Sequence, residues 1–499
     1  MSLRKQVLKG TGWVALGEGV SYAASFCRNA ILARMLSKAD FGTAAVFGMV
    51  MGLLEFTAKL GVARFLIRDK EGDDPVFIAT AHALQAGAAA LSAVAIILAT
   101  PWLAKWFELQ EHAWALGSLA GVVLLRGLEH LDVRRYERHL RFGPSALVEA
   151  VPQVVTTLAA WPVARWLGDY RAVLVLLLAK AGLSMVLSHA LAERRYALAW
   201  HREYGRRMLQ FGWPLVLNGF LMFGILQGDQ FLVGTYYSLD ELASYAAASM
   251  LVMAPHFMVG RVFNSIAFPL VARVQDDSVA FPSRYRQVLA VMFLYAAVSA
   301  AVFISGAEVL MPLIFGVKYA GTGGLLAWVA AVAAFRSLRV AVAVANLAKG
   351  DSQSQLFASL YRVGSLGPAL LLAIHGMPLW TVAASGLIGE AFALGVCAVR
   401  LWRRDRLPIG LTLRPALGLG ILCLASNAIS YWTTGTSKWL GLLSVVAAGS
   451  LAGLTVIISQ PELRAEARAL WHGLRHGGPK AALRRWLRGA GWECAPSES

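Results

Sequence analysis

The chain has 499 residues, of which 58% are hydrophobic and 15% charged, with a mean hydropathy of +0.58. That composition excludes a soluble globular protein of this length and places most of the chain in lipid. The 46 Lys and Arg against 29 Asp and Glu give a formal charge of +17, but the basic residues are scattered over many short loops and form no groove-sized patch, so no nucleic-acid partner is expected.

Apolar runs long enough to cross a hydrocarbon core, at about 20 residues each, are predicted near 10–34, 41–66, 77–103, 112–133, 145–167, 172–192, 209–236 and 242–270, and again near 287–315, 320–347, 354–375, 379–401, 415–433 and 438–459. The expected fold is an all-α integral membrane protein of about 14 transmembrane spans. The first run leads straight into the second with no small-residue cleavage site, so it reads as span 1 and not as a signal peptide. Cys27, Cys397 and Cys423 fall in spans and Cys494 in the tail. With no CxxC pair and no interleaved histidines, they indicate neither a metal nor a redox cofactor.

Spans 1 and 2 meet at the polar corner Ser37-Lys38-Ala39-Asp40-Phe41-Gly42 and carry Glu18, Arg28, Glu55, Lys59 and Arg64 inside them. An ionisable group at a helix centre costs at least about 2.5–3.5 kcal/mol in the bilayer, so several of them point to a wet path, as in a transporter. Glu55 and Lys59 are four apart and able to neutralise each other within one helix; the alternative is ion coupling. Asp229 has no basic residue within one turn, which opens it to pairing with a cavity arginine or to carrying a coupling ion, with Glu390 and Glu18 as further candidates. Arg126, Glu129 and His130 are expected to form a local polar cluster, and His82, His189 and His256 to be helix-contact residues.

With the N-terminus inside, the inner segments hold 30 Lys and Arg and the outer ones 6, which sets both termini in the cytoplasm by the positive-inside rule. The tail from Leu463 to Trp492 spaces Leu470, Trp471, Leu474, Leu483, Trp486 and Leu487 among arginines, a pattern for lying on an acidic inner leaflet.

Gly12-Trp13, Gly19 and Asp40 recur 200 residues later as Gly212-Trp213, Gly219 and Asp240. Ser37-x-x-Asp40 and Ser238-x-x-Glu241 repeat a capping pattern at the two corners. Two six-helix halves follow, 1–200 and 201–408, with a helix pair over 409–460 and a basic cytoplasmic tail over 461–499. An even number of spans per half implies a pseudo-two-fold axis along the membrane normal, and transport sites lie at such repeat interfaces.

The stretch Lys9-Gly10…Trp13 followed by Leu32-Ala33-Arg34-Met35-Leu36-Ser37-Lys38-Ala39-Asp40-Phe41-Gly42 resembles the opening of bacterial polysaccharide or lipid-linked oligosaccharide flippases of the multidrug/oligosaccharidyl-lipid/polysaccharide exporter superfamily. Arg138-His139-Leu140-Arg141-Phe142…Glu149 resembles their inner loop after span 4, and Phe315-Gly316-Val317-Lys318-Tyr319 with Ala348-Lys349-Gly350-Asp351 brackets span 10 as in that family. The likeness covers about residues 5–405. Two departures are Tyr319 in place of Trp and the extra spans 13 and 14.

The resemblance implies a pair of lobes opening alternately to the two sides and turning over an undecaprenyl-pyrophosphate-linked sugar from the inner to the outer leaflet. The head group then needs a water-filled cavity with positive charge, and the tail stays in lipid. Arginine suits the head because its planar fork binds two phosphate oxygens and stays protonated. On that basis Arg28, Arg64, Arg261 and Arg336 are the candidate substrate-binding residues, since spans 1, 2 and 8 line the cavity in the relatives this chain resembles. Arg34 and Arg64 lie near enough to span ends to snorkel. Arg336 and Arg339 share a helix face, where pairing with an acid competes with substrate contact.

No phosphate loop, HExxH or nucleophile elbow occurs, and the longest inner loop has about 16 residues. The chain is therefore read as a non-enzyme driven by a proton or sodium gradient or by the membrane potential. Its expected partners are a lipid-linked glycan, membrane lipid, and a polysaccharide polymerase and export machinery. The alternatives are a drug or organic-cation antiporter of the same superfamily and a membrane glycan polymerase or ligase.

Overall fold

The computed structural model describes residues 3–57 and 61–433, with side chains over 17–55 and 61–428. Among them every regular element is helical: α1 Leu3–Met35, α2 Lys38–Thr57, α3 Val62–Arg68, α4 Pro75–Trp106, α5 Ala113–Gly127, α6 Asp132–Arg138, α7 Gly143–Leu167, α8 Arg171–Ala190 and α9 Arg202–Tyr236. The series continues with α10 Leu239–Ala272, α11 Ala280–Ser305, α12 Ala307–Phe315, α13 Gly323–Ala348, α14 Gln353–Gly364, α15 Leu366–Ile374, α16 Leu379–Asp405 and α17 Gly410–Thr433.

Each of the first thirteen predicted spans coincides with one helix or with two broken pieces. Span 2 breaks near Gly61 into α2 and α3, span 9 at Gly306 into α11 and α12, and span 11 at Ser365 into α14 and α15. Lys59, span 14 and the tail with Cys494 lie outside the described residues. Among the described residues, 10 helices are long and apolar enough to cross a membrane. Helices α1, α2 and α5 are not among them, and these are the helices that carry Glu18, Arg28, Glu55 and Arg126.

The described residues form two compact units interleaved along the chain. Unit 1 takes residues up to Ala254, with Met311–Ala320 and Val363–Gly386; unit 2 takes Pro255–Leu310, Gly321–Arg362 and the residues from Leu387. In unit 1, α1 packs on α7, α7 on α8, α8 on α5, α5 on α4, and α2 on α9. In unit 2, α13 packs on α11, and α17 lies against both. Of the apolar window of α13, 83% is buried, which makes that helix the centre of its unit.

The two corners that echo each other in sequence are capped alike. The Asp40 amide donates to Ser37 Oγ at 3.0 Å and the Glu241 amide to Ser238 Oγ at 3.3 Å. In the second corner the Ser238 amide donates back to Glu241 Oε2 at 3.1 Å, completing a reciprocal box that satisfies orphan amides at the start of a helix.

Helix C-termini in lipid need the converse, donors for their last carbonyls. Arg34, at the end of α1, donates to the carbonyls of Ile314 (2.7 Å) and Leu313 at the end of α12. Lys318, just beyond α12, donates to the carbonyls of Arg34 (3.3 Å) and Leu36. Two stretches 280 residues apart that each carry a family-like motif therefore cap each other. Gly316 makes the turn possible with φ of 100°, a left-handed value that favours glycine. The buried Tyr319 ring meets the Lys38 and Lys318 ammonium groups at 5.3 and 5.8 Å.

Gly42 is a point of closest approach, since a Cβ there would stand 2.1 Å from the Leu239 carbonyl oxygen that opens α10. Replacing Gly42 by Val is expected to lower the melting temperature of the purified protein or abolish its folded fraction. Gly48→Ala, where the new carbon meets nothing within 4 Å, should instead be neutral or stabilise by about 0.5–1 kcal/mol in the same thermal assay.

Candidate functional site

Arg28 on α1, Arg126 on α5 and Lys180 on α8 come within electrostatic reach of one another in unit 1, together with Glu55 on α2 and Glu149 on α7. Arg126 Nη1 is ion-paired with Glu55 Oε1. Arg28 Nη1, by contrast, is buried with no hydrogen-bond partner, and among the described residues Lys180 has no hydrogen bond or ion pair. Buried polar groups in native proteins are nearly always partnered, so an orphaned guanidinium nitrogen needs an explanation. Five helices converge to place these groups, and no two of the three cations share a helix.

A second cluster occupies unit 2. Glu390 on α16, with only 2% of its side chain exposed, accepts Arg336 Nε at 2.7 Å and Arg339 Nε at 2.8 Å, both from α13, while Arg362 Nε of α14 stands 2.8 Å away as an ion pair without hydrogen-bond geometry. Three guanidinium groups on one carboxylate leave a local excess of positive charge. Arg126 and Lys180 of the first cluster precede Arg336 and Glu390 of the second by the same 210 residues, so each unit builds its intramembrane cluster on corresponding spans.

The sequence candidates are distributed as follows. Arg28 lies in the first cluster with Glu55, whose close partner is Arg126 on another helix; Lys59 lies outside the described residues. Arg336 and Glu390, expected as a substrate ligand and an ion-coupling group, are in contact with each other. Asp229 accepts the Tyr245 hydroxyl at 2.7 Å and the Gln230 amide at 2.8 Å. Arg64 on α3, Arg261 on α10 and Glu18 on α1 are exposed.

Arg126 and His130 separate: Arg126 turns to Glu55, and His130 joins a ring cluster invisible in sequence. Its ring centroid lies 4.7 Å from His82, 5.3 Å from His189 and 5.5 Å from Tyr196. The Leu131 amide donates to His82 Nε2 at 3.0 Å, so Nδ1 carries the proton that reaches the Ala197 carbonyl at 3.2 Å. His82 is thus a neutral contact residue that ties the 191–201 segment down. Beside it, Asp132 Oδ2 accepts the Glu193 and Arg194 amides at 2.8 and 3.2 Å.

The loop motifs are structural clasps. Arg138 reaches the Lys70 carbonyl at 3.0 Å and Asp73 Oδ2 at 3.0 Å, closing the turn after α3. Asp351 accepts Arg400 at 2.6 and 2.8 Å in a bidentate pair, and Lys349 pairs with Asp405 at 3.3 Å.

The profile of a family described as "Polysaccharide biosynthesis protein" matches residues 31–322, more than half of the chain. The chain belongs to this family. It is a multi-pass membrane protein. The protein "Lipopolysaccharide biosynthesis protein WzxC" of Escherichia coli (strain K12) is 20% identical over 382 residues, which cover 74% of this chain and 76% of that protein. Among solved structures, "Lipid II flippase MurJ, inward closed conformation" superposes with a TM-score of 0.69 at 12% identity, covering 89% of this chain and 98% of its own. An inward-facing multidrug resistance MATE family transporter of the MOP superfamily gives a TM-score of 0.59 at 16% identity, with 79% and 96% covered. These two likenesses establish a shared helical transporter fold.

Removing one partner of a buried ion cluster strands the others, at a cost of about 3–5 kcal/mol. Glu390→Ala in this family member is expected to reduce folded protein sharply, and Glu390→Gln less so, as read by abundance and thermal melting. At the loop, hydrogen bonding from Arg400 holds the Asp351 carboxyl below its usual range. A depressed folded-state pKa stabilises above the unfolded value and loses that contribution as pH falls through the folded one. The Arg400 clasp should therefore hold at neutral pH and weaken below about pH 4. Asp351→Asn should lower the neutral-pH melting temperature and flatten the acid limb of the melting-temperature profile.

Proposed function

We propose that this family member is a flippase that moves a polyprenyl-pyrophosphate-linked oligosaccharide from the inner to the outer leaflet of the bacterial plasma membrane by alternating access. The observation that carries the reading is the orphaned Arg28 Nη1 within electrostatic reach of Arg126 and of Lys180, which forms no ion pair among the described residues. Together they gather cationic donors from three helices, with hydrogen-bonding capacity unspent on Arg28. A diphosphate supplies the missing acceptors, and an arginine fork donates to two of its oxygens at once. Glu55 then acts as a place-holder on Arg126 that the substrate's phosphates displace.

Exposed Arg64 and Arg261 are the further candidate contacts along the path, whereas Arg336 works as part of the Glu390 cluster. The drive is a proton or sodium gradient or the membrane potential. Both termini are cytoplasmic, and the product is handed to a polysaccharide polymerase and export machinery. An antiporter for organic cations would need unspent carboxylates in its cavity. Here Glu55, Asp229 and Glu390 are all engaged, which favours an anionic head group.

Deleting the gene should accumulate unflipped lipid-linked glycan on the inner leaflet. Normal glycan export with altered drug efflux would instead assign the chain to the antiporters. Arg28→Ala, Lys180→Ala and Arg261→Ala should each abolish export at normal membrane abundance, and Arg28→Lys should retain only part of it. Full activity in the Arg28 and Lys180 variants would refute the phosphate site.

A further inference from the structure

Helices α14 and α16 face each other in unit 2 across a cavity of about 560 Å³. Its walls are apolar and aromatic: Phe357 and Tyr361 from α14, and Phe392 and Gly395 from α16, with Arg400 and Arg403 at one end. The Tyr361 and Phe392 rings stack at 6.1 Å, and Phe357 is held under the Arg400 guanidinium at 5.3 Å. All three rings are exposed, between 41% and 60%. A carbon added at Gly395 would meet nothing within 4 Å, so the cavity is open along the helix at that point.

The charges at the polar end are unequal. Arg400 is neutralised by its bidentate pair with Asp351, and Asp405 is taken by Lys349. Arg403 is exposed and forms no ion pair among the described residues. From Phe392 to Arg403 the cavity wall runs about 16 Å at the helical rise per residue, a length suited to an acyl chain more than to a compact solute.

An open apolar cleft that ends in an unspent arginine at the polar end of a membrane helix is complementary to one kind of molecule in its surroundings. We infer that this cleft is a binding site for a single anionic glycerophospholipid, its phosphate on Arg403 and an acyl chain laid along Phe357, Tyr361 and Phe392. Arg400 positions the Phe357 ring and does not itself neutralise the lipid. The site is separate from the Arg28 cluster and does not depend on what the protein transports.

Native mass spectrometry of the purified full-length chain, relipidated with phosphatidylglycerol or phosphatidylcholine, tests this directly. One phosphatidylglycerol should be retained about fivefold over phosphatidylcholine, the factor that corresponds to one basic residue near an anionic head group. Arg403→Gln, at an exposed and unpaired position that leaves the fold intact, should erase the preference and keep residual binding of both lipids. Gly395→Trp should fill the cleft and expel both. Equal retention of the two lipids by the unaltered chain, or retention unchanged in both variants, would overturn the assignment. So would displacement of the lipid by inorganic phosphate, which would leave a bare anion site, or by polyprenyl diphosphate at equal stoichiometry, which would make the cleft a seat for the substrate's tail.

Discussion

In hydrocarbon there is no water to complete a polar group, so every donor and acceptor must be met by another part of the chain. Helix ends feel this first, because four carbonyls remain open at each C-terminus. Here α1 and α12 answer with each other's cations: Arg34 covers the last carbonyls of α12, and Lys318 those of α1. Arg138 covers the turn after α3 in the same manner. Residues that read as positive charge in composition thus act largely as hydrogen-bond donors to backbone.

The same constraint governs the charges buried within spans. Glu390 is held by three arginines from two other helices, a geometry in which the desolvation of four ionised groups is offset by direct contacts. The corresponding place in unit 1 has a different balance, with fewer direct ion pairs. Arg126 has Glu55, but Arg28 keeps an orphaned nitrogen, and Lys180 forms no hydrogen bond or ion pair among the described residues. For a cation, an unmet donor is the informative state. It marks where a ligand of opposite charge gains most.

Motifs and site separate on this view. The stretches through which the family likeness was legible, Leu32 to Gly42, Arg138 to Phe142, Phe315 to Tyr319 and Ala348 to Asp351, are corner and loop clasps. They hold helices in register. The Arg28 cluster is built from single residues on five helices with no motif between them, and the histidine cluster that fastens the 191–201 segment is likewise assembled from His82, His130 and His189, each unremarkable alone. Substrate chemistry can change by substitution at such dispersed positions without disturbing the clasps.

The sequence by itself determined the membrane class, the positions of the spans as far as 433, and the family, because apolar run length and corner capping are local properties that a linear chain displays. It also exposed Arg28, Glu55 and Glu390 as anomalous, since a charge within an apolar run is visible wherever it points. Tertiary structure alone decided which charges meet. Glu55 finds Arg126 at a separation of 71 residues, and Glu390 finds Arg336 across 54. The breaks within spans 2, 9 and 11 and the lipid-sized cleft beside Gly395 were equally out of reach of periodicity. Pairing across helices depends on which faces pack together, and one-dimensional spacing carries no information about that.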